Sequence, residues 1–461
     1  MTNKLNIILF LTDDHAQWAL GCNGNDELRT PNLDYLSDRG VNMLNAFTPV
    51  PVCSPARACL LTGRLASQHG LHDYLKSSDP EVKRITWLKD ETTLAQILSE
   101  AGYQTGLSGK WHLGNDIQPQ PGFDYWFCTG IDYPIYHEGP HTFSENGEPV
   151  RIGGQITQSI TEHALKFLRN LKEEQPFFLV VGHYATHSPW AGHPERLVES
   201  YRNCSFAEIP DDPMYPFGRQ NLESTDATRN HPGEAKAQYY AAVTQIDEGV
   251  GRVMDELDAQ DLRDDTLIIY TSDRGLNCGH HGIWGKGNGT LPLNMVDESI
   301  RIPLIFNQPA ALYGGQRRNE FVDHTDLFQT ILDHAGIALP EERKEERRYP
   351  GRSYLPLLLN QSLDSNWRTD QFCEYGDVRM VRTSHHKLVH RYLGGSNELF
   401  DLQSDPRELV NIASLPENQN LLAHLTEKIN QFFEMHEDPA KSGLRVLELP
   451  RHNDTEAWRN P

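Results

Sequence analysis

Short apolar runs alternate with helix-period segments over the first two-thirds of the chain. That rhythm predicts an α/β protein built on a mostly parallel sheet. Ile7–Leu11 is apolar throughout, as expected of a strand buried on both faces, so Asn6–Leu11 is read as the first core strand. Pro176–Gly182, Thr266–Thr271 and Pro303–Phe306 are read as further strands. Between them, Thr30-Pro31 opens a helix that runs to about Arg39 and stops at Gly40. Other helices are predicted over Thr92–Ala101, Glu234–Leu257 and near His324–Ala335, with long loops over the site between Ala191 and Pro232. Glu341–Arg348 is a charged run, read as a solvated linker. Beyond it, alternating segments at Arg379–Arg382 and Lys387–Tyr392 predict an antiparallel sheet, followed by a helix near Asn418–Phe433. The expected architecture is a large mixed, mostly parallel sheet flanked by helices over residues 1–361, with a smaller α+β domain over 362–461.

Composition narrows the function. A net charge of −22, from 42 basic and 64 acidic residues, argues against nucleic acid and anionic membrane surfaces as partners. An anionic substrate would need positive charge concentrated locally. No apolar run approaches the roughly 20 residues of a membrane span. Lys4 precedes six apolar or near-apolar residues, but the run ends at Asp13-Asp14 without a small-residue cleavage site. A cytoplasmic protein is expected from this start, or a periplasmic one where a leader has been removed. Seven scattered cysteines form neither a disulfide framework nor a zinc pattern.

The most informative stretch is Pro51–Arg64, with Cys53-Ser54-Pro55-Ala56-Arg57 followed by Leu61-Thr62-Gly63-Arg64. Ser54-Pro55 reads as a helix opening, which would put Cys53 where unpaired N–H groups and the helix dipole favour an anion. Arg57, one turn on, can reach the same spot. This stretch resembles the modification signature of the type I, formylglycine-dependent sulfatases of the alkaline-phosphatase-like superfamily. Four further segments resemble that family in order: Asp13-Asp14, Gly109-Lys110-Trp111-His112-Leu113-Gly114, His183-Tyr-Ala-Thr-His187-Ser-Pro189 and Asp273 with Gly285-Lys286-Gly287. Glu398–Glu408 resembles its second-domain turn.

The resemblance implies an alkaline-phosphatase-like fold and sulfate-ester hydrolysis, with Cys53 converted to formylglycine by a maturation enzyme. It implies that Cys53, Arg57, Lys110, His112, His187 and Lys286 carry the chemistry, with His187 donating to the leaving oxygen and His112 acting as base. It also implies a divalent cation, Ca²⁺ by family expectation with Mg²⁺ or Mn²⁺ as alternatives, held by Asp13, Asp14, Cys53 and Asp273. Independently, three carboxylates converging from two strand ends would repel one another without a cation. His183 is balanced between a site role and a structural one. The substrate is expected to be a small-molecule or oligosaccharide sulfate ester, a sulfated carbohydrate first, because Gln68–Tyr74 and the His137–His141 loop offer polar groups at the site mouth. A phosphodiesterase or phosphonate monoester hydrolase of the same fold, and an inactive binding protein, are the alternatives. The sequence leaves the oligomeric state open.

One residue departs from the family pattern. Ser272-Asp273-Arg274-Gly275 carries arginine where the family has Asn or His. Arginine has no acceptor atom and cannot ligate a cation. Asn277 or water would then replace the missing ligand, or Arg274 would contact the carboxylates or the substrate. A cation beside a metal is unfavourable, so the expectation is that Arg274 points into the pocket and reads a second anionic group.

Overall fold

The computed structural model describes residues 5–76, 85–129, 138–172, 175–210, 212–215, 219–220, 230–339 and 348–459. Its centre is strand β1 (Asn6–Thr12), buried along its whole length. The period of two divides this strand between two cores. Ile7, Leu9 and Leu11 face one side with Leu60, Leu98 and Ile331, and Ile8 and Phe10 face the other with Ile160, Ile246 and Val250.

Nine more strands complete the sheet: β2 (Val41–Met43), β3 (Gln104–Lys110), β4 (Tyr125–Thr129), β5 (Glu138–Glu145), β6 (Glu148–Gln155), β7 (Phe177–Gly182), β8 (Thr266–Ser272), β9 (Leu304–Asn307) and β10 (Gln316–Arg318). Their order is β10-β2-β9-β8-β1-β7-β3-β4-β5-β6. The run from β8 to β4 is parallel, while β9, β5 and β6 pair antiparallel with their neighbours. This is the mixed, mostly parallel sheet that the sequence predicts.

Helices cover both faces: α1 (Pro31–Asp38), α2 (Cys53–Thr62), α3 (Leu94–Glu100), α4 (Ile156–Arg169), α5 (Pro232–Ala259) and α6 (His324–His334). Thr93 caps α3 by accepting from the Gln96 N–H, and Asp323 caps α6 in the same way. Helix α4 was not expected from the sequence, although its buried Ile156, Ile160, Ala164, Leu165 and Leu168 repeat at helical spacing.

A separate four-stranded antiparallel sheet follows, β11 (Gln371–Tyr375), β12 (Val378–Arg382), β13 (His386–Arg391) and β14 (Glu398–Asp401). Helix α7 (Gln419–His436) lays Leu425, Ile429 and Phe433 on Val381, Leu388 and Leu399. The expected linker lies outside the described residues as far as 347. Tyr354, Leu357 and Leu358, just past it, pack into the core of the large sheet.

The antiparallel sheet docks through buried charge. Arg382 grips Asp297 with Nε and Nη2 at 3.0 Å, and the Lys387 ammonium lies 2.5 Å from both Asp297 and Glu408. Glu408 in turn accepts from the Asp297 N–H at 2.7 Å.

Two expectations about the site mouth are corrected here. Gln68, His69, His72 and Asp73 are buried, because the C-terminal segment folds back over them: the His72 N–H donates to His452, and Tyr375 donates to Asp73. Of the His137–His141 loop, His137 lies outside the described residues and 138–141 belong to strand β5.

Candidate active site

Strands β1 and β8 run in register from Asn6↔Thr266 to Thr12↔Ser272, so Asp13, Asp14 and Asp273 leave neighbouring carboxyl ends together. Open parallel sheets bind ligands at such strand ends. The Asp273 N–H donates to the Thr12 carbonyl at 3.0 Å, and Asp14 turns the chain at a φ of 64°. Thr186, which the sequence reading passed over inside the His183–Pro189 segment, braces this turn. Its hydroxyl donates to the Asp14 carbonyl at 2.6 Å and its N–H to the Asp13 carbonyl at 2.8 Å.

Cys53 opens helix α2, one residue before the expected start, with Val52 extended as its cap. Every residue of that helix is buried and Cys53 is 3% exposed. Burial alone would raise the Cys53 pKa, but Arg274 and Lys110, with Lys286, outweigh it and bring the thiol down to about 6. Arg57 reaches back along the helix and donates from Nε to Asp273 and from Nη1 to the Lys110 carbonyl, both at 3.0 Å. Its Nη2 is buried with no hydrogen-bond partner among the described residues.

Lys110 ends strand β3 and pairs with Asp13, under the Tyr184 ring. His112 has a left-handed backbone and faces the Leu75 carbonyl with Nε2 at 3.0 Å. A carbonyl only accepts, so Nε2 carries the proton and Nδ1 is the basic atom. Burial, then Lys110, hold the His112 pKa well below the usual range. His187 shows the converse arrangement. Its Nδ1 faces the Ser188 carbonyl at 2.6 Å, and Nε2 lies 3.1 Å from the Lys286 ammonium and 3.9 Å from Asp14. Burial and then Lys286 lower its pKa. Lys286 also pairs with Asp14 at 3.1 Å.

The loop carrying Lys286 is fixed by a second residue that sequence reasoning missed. Asn294 donates to the Lys286 carbonyl at 2.8 Å and accepts from Ser299, two residues beyond Asp297. His183 stays out of the site: it is buried, stacks on Phe10 and meets the Thr161 hydroxyl at 3.3 Å.

Arg274 is not where the sequence placed it. It is completely buried, and its guanidinium bridges all three carboxylates. Nη2 is 2.9 Å from Asp13 Oδ1 and 2.5 Å from Asp14 Oδ1, and Nη1 is 3.0 Å from Asp273 Oδ2. It therefore answers the repulsion among these carboxylates instead of reading substrate. Burial works against both Asp13 and Asp14, yet Lys110 with Arg274, and Arg274 with Lys286, respectively, hold them below the usual carboxylate range. Burial pushes Asp273 up to about 7 against Arg274 and Arg57. Asn277 gives its amide N–H groups to the Gly285 carbonyl and the Ser299 hydroxyl, and its Oδ1 is buried with no hydrogen-bond partner among the described residues.

The Arg274 guanidinium lies where the expected divalent cation would meet the three carboxylates. Ca²⁺ needs carboxylate oxygens at about 2.3–2.6 Å; here Asp13 Oδ1 accepts a hydrogen bond from Nη2, and Asp14 Oδ1 lies 2.5 Å from the same nitrogen with no hydrogen-bond partner among the described residues. Donor atoms of Asp13, Cys53 and His187 do lie within 4.8 Å of one another. Lys110 and Lys286 are the cations paired with two of these three residues.

A strand-end nest of carboxylates and cations around a helix-opening cysteine defines a hydrolase of anionic esters. The sulfatase family matches residues 5–337, and the chain belongs to it. The C-terminal region of N-sulphoglucosamine sulphohydrolase matches residues 279–435. The chain is 27% identical to an N-acetylglucosamine-6-O-sulfatase of Bacteroides thetaiotaomicron, over 93% of this chain and 86% of that protein. It is 27% identical to a choline-sulfatase of Rhizobium meliloti, over 90% and 83%. Among solved structures, one in complex with its substrate D-glucosamine-2-N,6-O-disulfate superposes with a TM-score of 0.82 at 25% identity, covering 94% of this chain and 98% of that one. The phosphonate monoester hydrolase of Agrobacterium radiobacter shares the fold at a TM-score of 0.74 and 20% identity, covering 94% and 96%.

Proposed function

We propose that this sulfatase hydrolyses the sulfate ester of a carbohydrate, using formylglycine at position 53. The observation that carries the reading is the convergence on Cys53 of Lys110, Lys286 and Arg274, the charges that lower its pKa. The position suits formylglycine: a small side chain at the opening of a helix, walled by cations, with a histidine alongside. There the hydrate of that aldehyde would supply a hydroxyl as the nucleophile toward sulfur.

The chain's own residues do the rest. Lys110, Lys286 and the unpartnered Arg57 Nη2 hold charge that develops on the sulfuryl oxygens, in a buried site where such charge counts for more than in water. Lys286 and His187 share a proton at Nε2, in position to protonate the departing sugar oxygen. His112, kept unprotonated by burial, presents Nδ1 as a base for the return of position 53 to its starting state. The carbohydrate assignment rests on the N-acetylglucosamine-6-O-sulfatase relative and on the disulfated glucosamine bound in the similar structure.

A panel of sulfated saccharides tests it, with released sulfate measured and the desulfated position read by NMR. Sulfate release from at least one saccharide is expected. Faster hydrolysis of a phenyl phosphonate monoester than of any sulfate ester would assign the site to the other chemistry of this fold.

A further inference from the structure

We propose that the Arg274 guanidinium takes the place of the divalent cation, so that the three-carboxylate centre of this enzyme works without a metal. The proposal rests on the sulfatase reading for its catalytic meaning but not for its geometry. One side chain contacts Asp13, Asp14 and Asp273 together, at 2.5–3.0 Å. A hard cation would need the oxygens that lie 2.5–2.9 Å from Nη2, so ion and guanidinium compete for one place. Arg274 cannot step aside at small cost. It is 0% exposed, and moving it would part a buried charge from three carboxylates.

Charge arithmetic points the same way. Asp13, Asp14 and Asp273 carry three formal negative charges, and Arg274, Arg57, Lys110 and Lys286 carry four positive ones. The centre is then +1, suited to a singly charged sulfate ester. A divalent ion would raise it to +3 inside a water-poor site, where like charges repel strongly. The flanking chain also holds the arginine in position, since the Ser272 hydroxyl donates to the Arg274 carbonyl at 2.7 Å.

A guanidinium supplies fixed charge and N–H donors but no open coordination position. Arg274 therefore orders the carboxylates and holds the resting charge of the site. Activation of the hydroxyl at position 53 falls to the basic side chains around it. In the Asp13–Cys53–His187 cluster, Lys110 and Lys286 likewise pair with the outer members.

Metal content and thermal melting decide the matter, together with turnover of 4-nitrophenyl sulfate before and after EDTA. Wild type should hold less than about a tenth of an equivalent of calcium, magnesium and manganese combined. Its melting temperature and its turnover should not change on adding EDTA or CaCl₂. Arg274→Asn rebuilds an oxygen-ligand site, so its melting temperature should rise with CaCl₂ and fall with EDTA. About one equivalent of these metals in wild type, or an EDTA-lowered melting temperature that CaCl₂ restores, would overturn the proposal. So would a folded Arg274→Asn protein indifferent to CaCl₂. If Arg274→Asn does not fold, wild-type metal content and melting decide alone. A metal-free, EDTA-indifferent wild type that cleaves no sulfate ester would sink the sulfatase reading while leaving the cation replacement standing.

Discussion

Replacing Lys387 with methionine keeps the aliphatic stem and removes one charge from the joint between the two sheets. The ammonium has three acceptors, Asp297 and Glu408 at 2.5 Å and the Met295 carbonyl at 3.1 Å, and no solvent contact. In Lys387→Met, Asp297 keeps Arg382, but Glu408 keeps only the Asp297 N–H. Breaking a buried pair costs about 3–5 kcal/mol, and the surviving Arg382 contact places this variant near about 3 kcal/mol. The penalty depends on pH. Burial, with Asp297 adding and Lys387 opposing, pushes Glu408 up to about 7 from an ordinary 4.5. A carboxyl raised on folding gives stability that is complete below the unfolded pKa and drains away as pH rises through the folded one. Without Lys387 that drain deepens, so the gap between variant and wild type should be widest at pH 8 and narrower at pH 5.5. Urea unfolding followed by tryptophan fluorescence at both pH values measures it. A penalty below about 1 kcal/mol at pH 8, or one equal at both pH values, would show that apolar packing alone docks the second sheet.

Three more outcomes are expected. Peptide mass spectrometry of active enzyme should find the Cys53 peptide lighter by about 18 Da, and Cys53→Ala should abolish turnover; full activity with an unmodified thiol would end the formylglycine mechanism. His187→Gln should slow cleavage of a sugar sulfate by about 10²–10⁴-fold and of 4-nitrophenyl sulfate far less, since a good leaving group needs little protonation; equal losses on both substrates would remove His187 from the acid role. Lys286→Met takes away a positive neighbour that disfavours the imidazolium, so the His187 pKa should rise and the alkaline limb of kcat/KM should move to higher pH; a limb that stays in place would mean another group donates the proton.

Much of the site was legible because its elements are locally encoded. Continuous apolar runs mark strands β1 and β8, and the residues just after them are forced to the sheet's carboxyl end. The edge hairpin of β5 and β6 was not legible, because its exposed positions carry Glu, Gly and Arg without a clean alternation. Gln68–Tyr74 reads as polar loop because the groups that bury it, among them Tyr375 and His452, lie 302 and 380 residues away in the chain. For Arg274, its place beside Asp273 could be read from the chain but its direction could not. Repulsion from a metal argued for the pocket, whereas the mutual repulsion of three buried carboxylates, each with one other cation beside it, decides for the interior.

The burial of helix α2 also dictates an order of events in the life of the chain. Cys53 sits at 3% exposure, at the head of a ten-residue helix with no exposed face, pinned by Gly287 on the segment before it and by Leu75 on Ser54. A catalyst large enough to be a protein has no path to that thiol once the core has closed. On the formylglycine reading proposed above, the oxidation of position 53 has to be finished while Pro51–Arg64 is still an extended peptide, in competition with folding itself. A chain that folds first is sealed as a cysteine protein, and only unfolding returns it to the queue. The supply of working enzyme is then set by a race during synthesis, and expression faster than maturation should leave a population that is stable, correctly shaped and permanently unarmed.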